Sequence, residues 1–310
     1  MDSHDETSAF RKWLVAIRPF ALSASAAPVI FGAAAAVVAG GARFDPLLFL
    51  LSLLAMMILH SAANMLNDVQ DFRKGLDVET TPVSGAVVRR LLTPGEVMKG
   101  AIALIAVASL IGLYIVWRVG RPVLWIGLIG LAVGIFYTGK PVTLKYHGLG
   151  DLAVFLDFGI LGALGAWTVQ TGSTAWLPIV WAVPMSMLVV GILHANNWRD
   201  IGGDTGKHIR TMASMLGDRG SLIYYGLLVF GPFALVAAYI VLGVMPRSFL
   251  ITGLALPMAV TRWRRALNRA APKQPHDFVA LDGATAQLNL AFGLLCTVSL
   301  ILHAIARRLL

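Results

Sequence analysis

Cysteine occurs once in 310 residues, at Cys296, so neither a disulfide framework nor a cysteine metal site can form within the chain. Placed inside an apolar stretch, that thiol reads as a packing residue. Charge is scarce too: Asp, Glu, Lys and Arg make up 13%, where soluble proteins carry about a quarter. Together with 57% hydrophobic residues and a mean hydropathy of +0.76, this excludes a water-soluble globular protein. Neither a Gly-x-x-x-x-Gly-Lys-Ser/Thr loop nor a Rossmann fingerprint nor Gly-x-Ser-x-Gly occurs, so nucleotide hydrolysis, dinucleotide redox chemistry and serine-hydrolase chemistry lack support.

What the chain does have is long apolar runs. A helix needs about 20 residues to cross roughly 30 Å of hydrocarbon. Nine runs approach that length, at 20–39, 46–66, 97–117, 122–137, 149–169, 176–195, 221–243, 249–261 and 284–306. The eighth is the shortest and weakest. An all-α polytopic membrane protein with nine transmembrane helices follows. Residues 1–19 are polar and contain no apolar core ahead of a small-residue cleavage site, so they read as a retained N-terminal segment, with a single membrane domain over 20–310.

Nine crossings assign every connection to one of two sides. The N-terminus and the connections 2–3, 4–5, 6–7 and 8–9 hold 19 of the 25 basic residues. By the positive-inside rule these segments should be cytoplasmic. The formal charge of +9 thus reports topology and requires no nucleic-acid partner. Arg262-Trp-Arg264-Arg265-Ala-Leu-Asn-Arg269 reads as a basic stretch resting on anionic lipid.

Polar residues gather at two helix ends. Run 2 closes with His60, Asn64, Asn67, Asp68 and Asp71, which at about 100° per residue share one helix face. Gly75 then stops the helix, and Asp77 belongs to the following turn. Run 6 closes similarly, with His194, Asn197, Asp200 and, past Gly202-Gly203, Asp204. Two matched clusters four spans apart suggest an internal repeat, and carboxylates at a membrane edge are costly unless paired or coordinated. Capping would need one such residue, not five.

Asn and Asp oxygens without sulfur suit Mg2+, which favours a few carboxylates plus substrate phosphate oxygens. Arg73, Lys74, Arg199, Lys207 and Arg210 would complement the same phosphates. Two such clusters facing each other across a cavity can hold a diphosphate and activate it as a leaving group. A secondary transporter also repeats polar helices, but places them near the midplane of the bilayer; here both clusters lie at one edge.

Asn67-Asp68-x-x-Asp71 with Asp77, paired with Asp200-x-x-x-Asp204 about 130 residues later, resembles the UbiA superfamily of intramembrane prenyltransferases. Arg18-Pro-Phe-Ala-Leu-Ser, Asn67 to Asp77, Tyr137-Thr-Gly-Lys-Pro, Tyr146-His-Gly-Leu-Gly-Asp151 and Gly206-Lys-His-Ile-Arg-Thr211 look most like its 1,4-dihydroxy-2-naphthoate polyprenyltransferases of menaquinone synthesis. That resemblance implies a helical bundle around a central cavity, capped by cytoplasmic loops and open sideways to lipid. It implies Mg2+ and a polyprenyl diphosphate, an aromatic acceptor with 1,4-dihydroxy-2-naphthoate favoured, release of CO2, and a bacterial-type plasma membrane. The alternatives are another acceptor (4-hydroxybenzoate or homogentisate) and a terpene cyclase.

Carried over by position, Asn67, Asp68, Asp71, Asp77, Asp200 and Asp204 would hold metal. Lys207 and Arg210 would meet diphosphate oxygens, and Tyr137 and Lys145 would lie near the leaving group. Asn64, Asn197, Arg73 and Lys74 join as substrate-binding candidates. His60 and His194 are polar wall residues or direct participants. Asp157, isolated in apolar run 5, should face the cavity or hydrogen-bond another helix.

Overall fold

The computed structural model describes residues 8–75, 85–202, 209–267 and 281–309. Among them the chain is helical, with one isolated bridge between His147 and Arg210. Helix α1 (Ala9–Ile17) is capped by Ser8, whose hydroxyl accepts from the Arg11 amide. It ends where Arg18 turns left-handed at φ 51°, and the chain enters the bilayer as α2 (Ser23–Val38).

Seven more helices have the length and apolarity to span. They are α3 (Pro46–Arg73), α4 (Pro94–Val119), α5 (Arg121–Thr138), α6 (Gly150–Thr171), α7 (Leu177–Arg199), α8 (Met212–Val241) and α10 (Leu281–Leu309). The eighth run forms a broken segment, a 3-10 helix over Arg247–Ala255 followed by α9 (Leu256–Leu267). With α2 this makes nine apolar segments among the described residues, eight of them helices long enough to span a membrane.

Boundaries moved where polar residues sit inside helices. At 28 residues α3 is about 42 Å long at 1.5 Å per residue, so its polar end projects past the hydrocarbon. Helix α8 begins nine residues before its apolar run, because Thr211 and Ser214 form a reciprocal cap there. It bends at Gly217, whose φ of 66° and ψ of −177° suit glycine.

Close packing centres on α2, α6, α7, α8, α9 and α10, around Phe31, Met185, Leu188, Trp198, Tyr225, Phe249 and Phe292. By contrast, α4 and α5 present Leu110, Leu113, Trp117, Trp125 and Ile129 outward, as lipid-facing surfaces should. Small residues allow α2 to lie against α6, since a Cβ at Gly32 would run into the carbonyl of Ala163. Gly32→Ala should therefore cost about 1–3 kcal/mol, read as a lower thermal midpoint of the detergent-solubilised protein. Gly112→Ala, whose Cβ meets nothing within 4 Å, should leave that midpoint in place; equal midpoints for both variants would refute the close approach.

Candidate active site

Two helix ends open onto one chamber at the Lys/Arg-rich edge of the bundle. On α3, Asn67 and Asp71 are four residues apart, and so are Asn196 of α7 and Asp200, which caps its C-terminus. That spacing places each pair on one face, one turn apart. Asn67 and Asn196 both line a chamber whose wall also carries Arg18, His60, Asn64, Tyr137, Asp157 and Asp282.

Around Asp71 the contacts are dense. Lys145 Nζ donates to Asp71 Oδ2 at 2.6 Å and to Asn67 Oδ1 at 2.9 Å, while the Tyr146 hydroxyl donates to Asp71 Oδ1 at 2.8 Å. Lys74 Nζ stands 3.5 Å over the Tyr146 ring, a cation–π contact. Desolvation holds the Lys74 ammonium below its ordinary value against the pull of Asp71, and Lys140 and Lys145 add to the depression. The short 3-10 turn Leu144–Tyr146 delivers these groups. It is tied to the segment after α7 by the Arg210 amide, which donates to the Tyr146 carbonyl at 3.3 Å.

Asp200 is organised differently. The Arg199 guanidinium reaches both its oxygens, at 3.0 and 3.1 Å, together with Asp282 Oδ2 at 3.3 Å and the side-chain Oδ1 of Asn196. Arg199 was expected to meet phosphates, but its side chain is only 9% exposed and is held among carboxylates.

The remaining predicted residues divide. Asn64 lines the chamber and donates to the Ile17 carbonyl at 3.4 Å. His60 lines it as well, with Nδ1 3.0 Å from Ser25 Oγ and its ring 4.3 Å from that of Phe158. Tyr137 and Asp157 also face it. Asp68 is buried and turned away, accepting from the Val87 amide at 3.0 Å under the turn at Gly85. His194 packs between α7 and α8, its Nε2 3.2 Å from the Ser221 carbonyl and its ring edge-on to Tyr224. Asn197 is buried outside the chamber lining. Arg73 and Arg210 are exposed. Asp77, Asp204 and Lys207 lie outside the described residues.

Sequence reasoning missed three chamber residues. Asn196 was overlooked because its neighbour Asn197 seemed to fit the face. Arg18, whose buried Nε has no hydrogen-bond partner among the described residues, had one available signal: a lone cation at the mouth of an apolar run. Asp282, at the start of α10, had none, since no motif or repeat partner marks it.

A second cavity, lined mainly by apolar side chains of α3, α4, α5 and α6, meets the first at Ala63, Gly134, Asp157 and Phe158. Fold and site thus define a polytopic helical membrane protein with a polar chamber at one membrane edge that continues into a hydrocarbon-lined groove. The chain belongs to the UbiA prenyltransferase family, whose profile matches residues 26–302, and is a membrane-embedded prenyltransferase.

UbiA prenyltransferase domain-containing protein 1 of Rattus norvegicus is 33% identical over 293 residues, covering 94% of this chain and 83% of the relative. The human protein of that name is 32% identical with the same coverage. In fold, the chain is similar to a UbiA homologue from Archaeoglobus fulgidus bound to GPP and Mg2+, with a TM-score of 0.65 at 15% identity over 93% of this chain and 99% of that one. A UbiA homologue from Aeropyrum pernix K1 gives a TM-score of 0.67 at 17% identity, over 93% and 98%.

These relatives correct two expectations. The 1,4-dihydroxy-2-naphthoate octaprenyltransferase of Bacillus subtilis is 29% identical over 92% of this chain, below the vertebrate proteins, so the naphthoate branch assignment does not stand. The vertebrate relatives equally overturn the bacterial-type plasma membrane. The reason is visible in the residues that carried the branch. Gly75 has a φ of 64° and serves the end of α3, while Tyr146 and Lys145 serve Asp71. Both are demands of the helix end and the polar cluster, and neither reports on the acceptor.

Proposed function

We propose that the protein transfers a prenyl group from a prenyl diphosphate to a ring carbon of an electron-rich, hydroxylated aromatic acceptor, with Mg2+ bound at the diphosphate. The observation that carries this reading is that Asn67 and Asn196, each four residues before an aspartate, line one chamber that runs on into an apolar groove. A polar head with a long hydrocarbon tail is the ligand such a shape accommodates.

Among the described residues no group of three or more His, Cys, Asp or Glu forms a metal site. Mg2+ does not need one, because substrate phosphates complete its shell. The donor set is nonetheless suitable: hard oxygens only, and already gathered around positive charge, since the Lys145 ammonium sits between Asn67 and Asp71. Asn67, Asp71 and Asp200 would hold the ion, joined by Asp77 and Asp204. When bound, it supplies charge neutralisation to the departing diphosphate. The GPP- and Mg2+-bound Archaeoglobus homologue of like fold supports this reading.

The chain's own residues do the rest. Lys145 and Arg18 bring positive charge to the anionic head, and Lys207 and Arg210 add to it. Tyr137 lines the wall where the allylic carbon would lie. Asp68 holds the turn at Gly85 through Val87 and so positions the end of α3. The apolar groove keeps water from a carbocation-like centre, favouring capture by the ring over hydrolysis.

The test supplies purified protein with Mg2+, a polyprenyl diphosphate and, in separate reactions, 4-hydroxybenzoate, homogentisate and 1,4-dihydroxy-2-naphthoate, with products identified by mass spectrometry. A prenylated ring and free diphosphate are expected, with loss of product on chelation and poor replacement by Ca2+, whose coordination is larger and looser. A cyclised hydrocarbon from the diphosphate alone would replace this reading with a cyclase.

A further inference from the structure

We infer that Asp157 is a specificity-determining residue that holds the acceptor through a ring hydroxyl, an inference that rests on the prenyl-transfer reading above. Asp157 stands at the junction of the two cavities and lines both. It lies on a π-helical stretch, Phe155–Leu161, within α6. Such a widened turn departs from regular helix and is frequent at functional positions.

Space has been left for the carboxylate. Gly130 and Gly134 face it from α5, where a Cβ at Gly130 would come within 3.0 Å of Oδ1 and one at Gly134 within 4.0 Å of Oδ2. Neither a hydrogen bond nor an ion pair reaches Asp157 among the described residues, so the structural alternative, a bond to another helix, is not what occupies it. A carboxylate at this depth without a partner is costly. The space around it leaves room for a polar group of an incoming ligand to be that partner.

The two substrates differ in what they can offer. A prenyl diphosphate presents only acceptor oxygens and hydrocarbon, so it has no donor for Asp157 and its anionic head is repelled. A hydroxylated ring has the required O–H. With the diphosphate at Asn67 and Asn196, and the tail in the groove, a ring whose hydroxyl donates to Asp157 lies at the neck, beside the carbon that must be attacked. The wall there is aromatic, with the Phe158 ring packed at a tilt against His60, and can support a flat ring. Asp157 also selects against an acceptor that turns a carboxylate toward the neck; any such group must point to Arg18 instead.

The experiment measures KM for acceptor and for prenyl diphosphate separately, using full-length wild type, Asp157→Leu and Asp157→Asn with Mg2+. Losing a hydrogen bond to a charged group should raise the acceptor KM of Asp157→Leu about tenfold or more, with the diphosphate KM within about twofold of wild type. Asp157→Asn should retain most of the acceptor affinity, because its carbonyl still accepts. An acceptor with the relevant hydroxyl methylated should show equal KM for wild type and Asp157→Leu. An unchanged acceptor KM in Asp157→Leu, or a parallel rise in both KM values, overturns the assignment. Failure of the wild type to prenylate any ring while it consumes the diphosphate is a different result, and overturns the prenyl-transfer reading on which this one rests.

Discussion

Asp71→Ala should lower kcat/KM for the prenyl diphosphate by about 10³, equivalent to about 4 kcal/mol of transition-state stabilisation. Asp71 is the proposed metal ligand with the densest local support, holding Lys145 at 2.6 Å and Tyr146 at 2.8 Å. Removing it also takes away the acceptor that Tyr146 and Lys145 share, at a cost of roughly 1–3 kcal/mol, although Lys145 keeps its bond to Asn67. Asp71→Asn separates the effects, since it keeps an acceptor for Lys145 or Tyr146 while removing the negative charge. Diphosphate release should be lost in both variants and the thermal midpoint should fall mainly in Asp71→Ala. Wild-type turnover in Asp71→Asn would remove Asp71 from the site.

A second large effect is expected at Arg199, in stability before activity. Its guanidinium joins Asp200, Asn196 and Asp282, with the Arg199 and Asp282 side chains 9% and 8% exposed. Arg199→Met leaves Asp282 buried without its counter-charge, and breaking one side of such a pair costs about 3–5 kcal/mol. The ends of α7 and α10 would then lose their polar tie. Adding Asp282→Leu removes the stranded charge, so the double variant should recover much of the thermal midpoint. Were Arg199 instead a phosphate ligand, the single variant would raise the diphosphate KM at an unchanged midpoint, and the restraint read here would be wrong.

How much of this was legible beforehand depends on the range of the interaction involved. The polar face of α3 was readable because Asn64, Asn67 and Asp71 follow helical periodicity, and periodicity is local. Asp68 obeyed the same pattern closely enough to join the candidates, yet it turns to Val87, on the segment leading into α4. On α7 the choice between Asn196 and Asn197, about 100° apart, depends on how the helix is rotated within the bundle. Hydropathy does not encode rotation, because packing against neighbours sets it. Asp282 and Arg18 come from opposite ends of the chain and enter the chamber only through the packing of α10 and α2.

The sequence by itself determined the class of fold, the nine apolar segments and the edge at which the charged groups collect. Hydrocarbon offers no hydrogen-bond partners, so the apolar runs must fold as helices, and each helix carries its polar residues at a depth set by residue count. The tertiary structure alone decided which polar groups face one another: Lys145 between Asn67 and Asp71, Arg199 among Asp200, Asn196 and Asp282, and Asp157 at the neck with space cleared by Gly130 and Gly134. Those pairings depend on the rotation, tilt and contact order of whole helices, which arise from side-chain packing summed over the bundle and leave no periodic trace in any one segment.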